Sequence, residues 1–225
     1  MASLPPLDFS FCDLNNLSDL LRVPARSGQI QRSGNEVADD GGGDNTKNEE
    51  DDDDEGEKLD KRKKDGEANE GAQVVKTHNN VYSCTICKLS NNNFSESENF
   101  APILKAVIHE ATSKLTSLDL SFNRISTIPN DIAEFPLVFL YLHANNITKI
   151  TEVQKLVQVK TLRTVTLHGN PVENTTRNYK YHILWMMPEL KSLDFASFTR
   201  RDRETVKTYV DFYKPAEQPP KQVKR

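Results

Sequence analysis

One pattern of apolar residues recurs three times in the second half of the chain. In each copy, two aliphatic residues lie three positions apart, a third follows two positions later, and an asparagine follows three positions after that. The copies begin at Leu115, Leu137 and Leu162, so their second aliphatic residues, at positions 118, 140 and 165, lie 22 and 25 residues apart. This regular spacing indicates stacked coils, because one coil alone cannot bury its apolar face.

Each copy predicts a short strand followed by a turn. Side chains alternate along a strand, so the aliphatic residues point into a core and the residues between them point outward. Strands of successive coils then pair in parallel and form one concave wall. The asparagine turns the chain away from the strand, and its side-chain amide can bond backbone groups that the turn leaves unpaired. The repeated asparagines should therefore form a ladder.

Two further copies depart from the pattern at the ends of the repeat region. The first places Cys84 and Cys87 at the first two aliphatic positions, with Asn92 at the asparagine position. The last begins at Leu190 and places Phe195 at its third apolar position. Because a stack of coils exposes its final core layer, we interpret this last copy as part of a terminal cap. The predicted asparagine ladder consists of Asn92, Asn123, Asn145 and Asn170.

The sequence holds no motif that points to catalysis. It lacks glycine-rich phosphate-binding loops and the nucleophile motif Gly-x-Ser-x-Gly. The pair Cys84-x-x-Cys87 would supply only two of the four ligands of a structural zinc site, and cysteine also packs as a small buried apolar residue. We interpret the cysteines as core residues, with a redox or metal-binding role as the less favoured alternative, and expect a non-enzymatic protein without cofactor or metal.

Composition divides the chain into four segments. Residues 1–25 hold leucines at helical spacing and form a predicted docking segment, which could fold onto the repeat domain or onto a partner. Residues 26–73 hold three large aliphatic residues and a long acidic run, so we expect a disordered charged linker. Residues 74–213 form the repeat domain with its cap, and residues 214–225 form a basic tail. The net charge is −4.

The expected cellular compartment is inferred from the length of the apolar runs and from the number of cysteines. No window approaches the roughly 18 consecutive apolar residues of a membrane-spanning helix, so we expect no membrane association. Three cysteines are an odd and sparse set, which favours a reducing compartment. A cytoplasmic location is the expectation.

The repeats that end in Asn123, Asn145 and Asn170, together with the cap, resemble the SDS22-like class of leucine-rich repeat proteins. The resemblance implies an α/β fold, a leucine-rich repeat solenoid, which is a right-handed β-α superhelix, with four to five coils and a C-terminal cap, preceded here by a disordered N-terminal region. It also implies a cytoplasmic protein without known chemistry, in a class whose members often serve cilia and flagella. It carries over no catalytic residue.

The outward side chains of the predicted strands identify a face for a partner. Phe139 and Tyr141 stand out, because an aromatic pair in the middle of a concave wall is typical of a binding anchor. Phe139 could instead pack beside a neighbouring coil or under the N-terminal segment. His143 and His168 occupy equivalent places on adjacent coils, which predicts neighbouring rings that stack rather than bind a metal. The candidate contact residues are Lys88, Asp119, Phe139, Tyr141, His143, Thr166, His168 and Asp194.

These observations favour an adaptor that binds a protein partner through its concave face. We expect the setting to be a ciliary or flagellar axoneme, with an axonemal or microtubule-associated partner, and a monomer outside that assembly. One alternative is an RNA-associated, spliceosome-like leucine-rich repeat protein. The basic tail would suit it, yet an acidic protein surface would attract the tail equally, so nucleic acid is the weaker expectation. A further alternative is a phosphatase-regulatory leucine-rich repeat protein.

Overall fold

A computed structural model describes residues 4–30, 81–95 and 99–213, with side chains described as far as Tyr209. The chain divides into two compact units, residues 1–32 with 76–225, and residues 33–75. The second unit lies outside the described residues, as do most of the predicted linker and the predicted basic tail. Among the described residues, no helix has both the length and the apolar character needed to cross a membrane.

The first unit is built around one sheet that contains the predicted strands. The described strands are β1 (Leu7–Asp8), β2 (Gln29–Ile30), β3 (Tyr82–Ser83), β4 (Ile86–Lys88), β5 (Ser117–Asp119), β6 (Phe139–Tyr141), β7 (Thr164–Thr166), β8 (Ser192–Leu193) and β9 (Ala196–Ser197). Seven of them form the sheet in the order β1-β4-β5-β6-β7-β8-β9, parallel throughout except for the antiparallel last pair. The buried residues in register across it are Leu7, Cys87, Leu118, Leu140, Val165 and Leu193. The predicted stacking of coils and the leucine-rich repeat fold are therefore confirmed.

The N-terminal segment adds a strand to the sheet. β1 pairs in parallel with β4, and Leu7 and Phe9 are fully buried, so the segment docks on the repeat domain. Residues 26–30, expected in the linker, are instead part of this structure. The backbone N–H groups of Asp8 and Arg26 donate to the carbonyl oxygens of Ser27 and Asp8, and β2 pairs with β3. Composition missed these residues because hydrogen bonds, not apolar side chains, hold them. Ser27 bonds the edge strand β1, and β2 forms a separate two-stranded sheet with β3.

Short helices connect the strands. They are α1 (Phe100–Val107), α2 (Ala111–Lys114), α3 (Ile150–Gln154), α4 (Pro171–Thr175), α5 (Tyr179–Met186) and α6 (Arg200–Tyr213), with 3-10 turns at Leu17–Leu21, Asn130–Glu134 and Lys155–Gln158. The buried face of α1 includes Phe100, Leu104 and Val107, and the 3-10 turn of the N-terminal segment packs against this helix. The helices thus complete the core that the strands begin.

The terminal cap reverses the chain within two residues. Asp194 and Phe195 separate β8 from the antiparallel β9 and have φ angles of 50° and 64°. A two-residue hairpin turn with both central residues in the left-handed region matches the twist of the strands it joins. The expectation that Phe195 points into the core is wrong, because this reversal ends the inward and outward alternation. Its side chain is 68% exposed.

Candidate functional site

The four ladder asparagines tie each coil to its neighbour. The side-chain amide of Asn145 donates to the carbonyl oxygens of Leu120 (2.9 Å) and Leu142 (3.0 Å), which belong to two successive coils. Its Oδ1 accepts from the backbone N–H of Ile125 at 2.9 Å. Equivalent bonds are made by Asn92, Asn123 and Asn170. Because these bonds satisfy buried backbone groups in adjacent coils, they fix the sheet that carries the candidate face.

The residue before each asparagine adopts the left-handed backbone conformation. Phe122 has a φ of 53°, and glycine stands at the matching position in the last of these coils, with a φ of 73° at Gly169. The left-handed region is unfavourable for a bulky side chain. This backbone conformation turns the ring of Phe122 outward, and 52% of the residue is exposed. Strand alternation could not identify this residue, because it lies beyond the strand in a corner.

Five aromatic rings lie together on the concave side of the sheet, where the chain turns away from the strands. We call Phe122, Tyr141, His143, His168 and Phe195 the aromatic cluster. Phe195 lies at its centre, with ring centroids 5.8 Å from His143, 5.5 Å from His168 and 6.5 Å from Tyr141. Phe122 packs edge to face on His143 at 5.1 Å. Tyr141 and the two histidines were predicted from the sequence, whereas Phe122 and Phe195 were not.

The two histidines stack as the repeat register predicts. Their ring planes are 8° apart, so the nitrogen atoms do not converge on one point. Nδ1 of His143 is hydrogen-bonded to Oγ1 of Thr166 at 2.9 Å. Burial, reinforced by the neighbouring His168, lowers the pKa of His143 below its ordinary value. The described residues contain no group of three or more histidine, cysteine, aspartate or glutamate side chains placed to hold a metal ion.

Two predicted contact residues are engaged by hydrogen bonds within the repeat domain. Thr166 is fully buried, and its hydroxyl is engaged by His143. Asp194 uses Oδ1 to accept from the backbone N–H groups of Leu167 (2.6 Å) and His168 (2.8 Å), and Oδ2 to accept from the Tyr179 hydroxyl (3.1 Å). The interpretation of Thr166 as a partner contact is wrong, because it lies beneath an imidazole ring. Asp194 holds the cap onto β7 and remains partly exposed, so its role as a partner contact stays a prediction.

The remaining candidates lie on the strands. Phe139 is 41% exposed and shares a row with Ile86 and Ser117, while Lys88 and Asp119 are half-buried in the next row. The alternative that the N-terminal segment covers Phe139 is wrong, because that segment lies at the far edge of the sheet, beyond β4. Phe139 therefore belongs to the open wall.

The cysteines of the first coil are buried side chains. Cys84 and Cys87 are free thiols with almost no exposed surface. Burial raises the pKa of the Cys84 thiol to about 11 and also raises that of Cys87. Thiols held in the protonated form are poor nucleophiles and poor metal ligands, which agrees with their interpretation as core residues.

The sheet, its asparagine ladder and the cap define a repeat protein with an open concave face. The family model "Leucine-rich repeat" matches residues 74–223, and the chain belongs to this family. Over 122 residues it is 36% identical to leucine-rich repeat-containing protein 51 of Mus musculus, a match that covers 54% of this chain and 62% of the relative. The chain thus spans about three-fifths of the length of this relative. The family resemblance is confirmed.

Two further comparisons concern one other group. Over 97 residues, the chain is 35% identical to a probable U2 small nuclear ribonucleoprotein A' of Caenorhabditis elegans, covering 42% of this chain and 38% of that protein. The crystal structure of the Drosophila melanogaster SNF/U2A' complex aligns with a TM-score of 0.49 and 28% identity, over 57% of this chain and 69% of that chain.

Proposed function

We propose that this chain is a non-catalytic adaptor that binds a partner protein through its concave face. The observation that carries the proposal is the exposed aromatic cluster, in which Phe122 and Phe195 are among the most exposed large apolar residues described. Exposed apolar groups gathered in one patch mark interaction sites, and aromatic residues are frequent anchors in them. Membership of the leucine-rich repeat family supports an interaction role.

The rigid backbone beneath the cluster supports the same proposal. Tyr141 lies on a strand paired on both sides, and Asn145 and Asn170 bond the turns that follow the two histidine-bearing segments. A face that is ordered before binding loses less conformational entropy when the partner docks. The cluster is therefore a preorganised anchor site.

The proposal includes a cytoplasmic setting in a ciliary or flagellar axoneme. Its support is the sequence resemblance to a repeat class whose members often serve cilia and flagella. In this setting the chain is a monomer that joins a larger assembly. An axonemal or microtubule-associated protein is then the partner.

Proximity labelling in ciliated cells tests the adaptor role. The full chain is compared with a Tyr141→Ser and Phe195→Ser double variant, and with Phe11→Ser as the control. Phe11 is also an exposed phenylalanine in a left-handed corner, but it lies in the N-terminal coil. We expect a set of proteins labelled by the wild type and the control to be lost in the double variant. Identical labelling by all three would contradict binding at this face, and exclusion of the chain from cilia would remove the axonemal setting.

An RNA-associated assembly is the second candidate function, and the phosphatase-regulatory alternative stays an untested prediction. The similarity to the probable U2 small nuclear ribonucleoprotein A' supports the RNA alternative, as do Arg200, Arg201 and Lys207 on α6. Titration of the chain with a labelled RNA oligonucleotide at several salt concentrations separates the candidates. Affinity that falls steeply with salt would favour RNA, because phosphate contacts dominate such complexes. Absence of binding at low salt would favour the adaptor.

A further inference from the structure

A carboxylate borders the aromatic cluster. Asp119 on β5 pairs in register with Tyr141 on β6, and Phe122 follows Asp119 by three residues in the same coil. Burial has the largest effect on the pKa of His143, and Asp119 acts on it in the opposite sense, which places this carboxylate within electrostatic reach of the imidazole ring. The acid and the rings therefore share one surface.

The carboxylate is oriented but only half used. Oδ1 of Asp119 accepts from the backbone N–H (3.0 Å) and the hydroxyl (2.6 Å) of Ser121. No hydrogen bond among the described residues engages its Oδ2. Asp194 differs, since both of its oxygens accept hydrogen bonds from the cap and the neighbouring coil. Of the two acids that border the aromatic cluster, Asp119 is thus the one that keeps an acceptor for a partner.

The combination of groups selects a cationic side chain of a particular shape. A guanidinium group is planar, stacks on aromatic rings and donates several hydrogen bonds to a carboxylate at once. The charged residues on the strands of the sheet are Asp8, Lys88 and Asp119, and Asp194 lies in the turn after β8, a net negative set that favours a cation over an anion. Neutral apolar groups would leave Oδ2 of the half-buried carboxylate without a partner, at a cost in binding.

We infer that the aromatic cluster and Asp119 together form a pocket for an arginine side chain of the partner protein. This inference rests on the proposed function, because it assigns chemistry to the partner that docks on this face. The guanidinium group stacks against the exposed rings and donates to Oδ2 of Asp119. The partner segment is therefore basic.

A peptide selection tests the pocket without knowledge of the natural partner. A library of random peptides displayed on phage is selected on the full chain, and the recovered sequences are examined for arginine. One recovered peptide is then synthesised with arginine and with citrulline, which has nearly the same shape but no charge. Both peptides are titrated against the wild type, Asp119→Asn, Phe195→Ala and the control Phe11→Ala.

We expect arginine to be enriched in the recovered peptides and citrulline to weaken binding by about tenfold or more. Asp119→Asn should weaken the arginine peptide by a similar factor, and combining it with citrulline should add little, because both changes remove the same contact. Phe195→Ala should also weaken binding, whereas Phe11→Ala should stay within about twofold of the wild type. The replacement of arginine by citrulline is made in the peptide and not in the protein. This comparison therefore remains valid even if a protein variant folds poorly.

The contrary results separate the two proposals. Peptides that depend on Phe195 but lack arginine, or bind equally with citrulline, would overturn the arginine pocket and leave the adaptor role standing. Peptides unaffected by Phe195→Ala, or a library without any binder, would contradict the adaptor role itself. If binding appears only after the basic residues of 214–225 are changed to serine, the pocket belongs to the chain's own tail and the partner assignment is overturned.

Discussion

The imidazole rings of His143 and His168 lie parallel, with their centroids 4.7 Å apart and their planes 8° apart. Nδ1 of His168 is buried, makes no hydrogen bond, and lies 3.4 Å from Oδ1 of Asp194. Two imidazoles in this arrangement are compatible with neutral rings but repel each other when both carry a proton. The stack should therefore weaken in acid.

The first prediction is a loss of stability below neutral pH through His143. Its pKa in the folded state is below the ordinary 6.5, so the unfolded chain binds the proton more readily. The contribution of this group is complete above pH 6.5 and is lost as the pH falls from 6.5 towards the lower folded pKa. Urea unfolding between pH 5 and 7.5 measures the effect. His143→Gln should lose less stability over this range than the wild type, and His109→Gln should behave as the wild type; equal slopes in all three would contradict the prediction.

The second prediction concerns the asparagine ladder. Asn145→Ala removes the acceptor of the Ile125 N–H group and one of the two side-chain amide donors to each of the Leu120 and Leu142 carbonyl oxygens, which keep Asn123 and Asn170. The buried N–H group left without a partner, together with the loss of two further bonds, should lower the free energy of unfolding by about 1–3 kcal/mol. The neighbouring Asn146 is exposed, and Asn146→Ala should change it by less than about 0.5 kcal/mol. Similar losses for the two variants in urea titrations would count against the ladder.

The third prediction separates backbone strain from side-chain loss at Phe122. Glycine adopts the left-handed conformation that this corner requires without a steric cost, whereas alanine adopts it only at a cost, as Ala144 does in the next coil. Phe122→Gly should therefore be more stable than Phe122→Ala by about 1 kcal/mol. At Phe139, on strand β6, the order should reverse, because glycine weakens a strand. Thermal unfolding of the four variants measures the relative stability of the glycine and alanine variants at each position. The same order of stability at Phe122 and Phe139 would contradict the prediction.

The fourth prediction concerns attachment of the C-terminal helix. The carboxylate of Asp202 accepts from Nζ of Lys180 (2.6 Å) and from the N–H (2.8 Å) and hydroxyl (2.7 Å) of Thr199. These bonds hold its pKa far below the ordinary 3.8, so its contribution is present above pH 3.8 and is lost as the pH falls towards the folded pKa. The protection of α6 amides against hydrogen exchange, taken relative to the intrinsic exchange rate at each pH, should fall below pH 3.8 in the wild type. Asp202→Asn should raise exchange already at pH 7, while Glu204→Gln, which removes an exposed ion pair, should not.

The sequence by itself determined the repeating part of the molecule. Leu118, Leu140 and Val165 are aliphatic residues at the same position of three successive coils. Their spacing fixed which side chains share a core layer, and the tertiary structure pairs these residues. The asparagine positions and the neighbouring histidines followed from the same spacing. This information is local, because the alternation of side chains along a strand sets which face each residue takes.

Only the tertiary structure decided where the repeat ends and what covers it. The reversal at Phe195 depends on pairing between β8 and β9, and the Thr166 hydroxyl is covered by the ring of His143 in the preceding coil. The strand at Leu7 forms because it pairs with the free edge of β4, which lies far away in the sequence. Contacts between residues distant in sequence leave no period to detect, so the exposed half of the aromatic cluster emerged only when the coils were assembled.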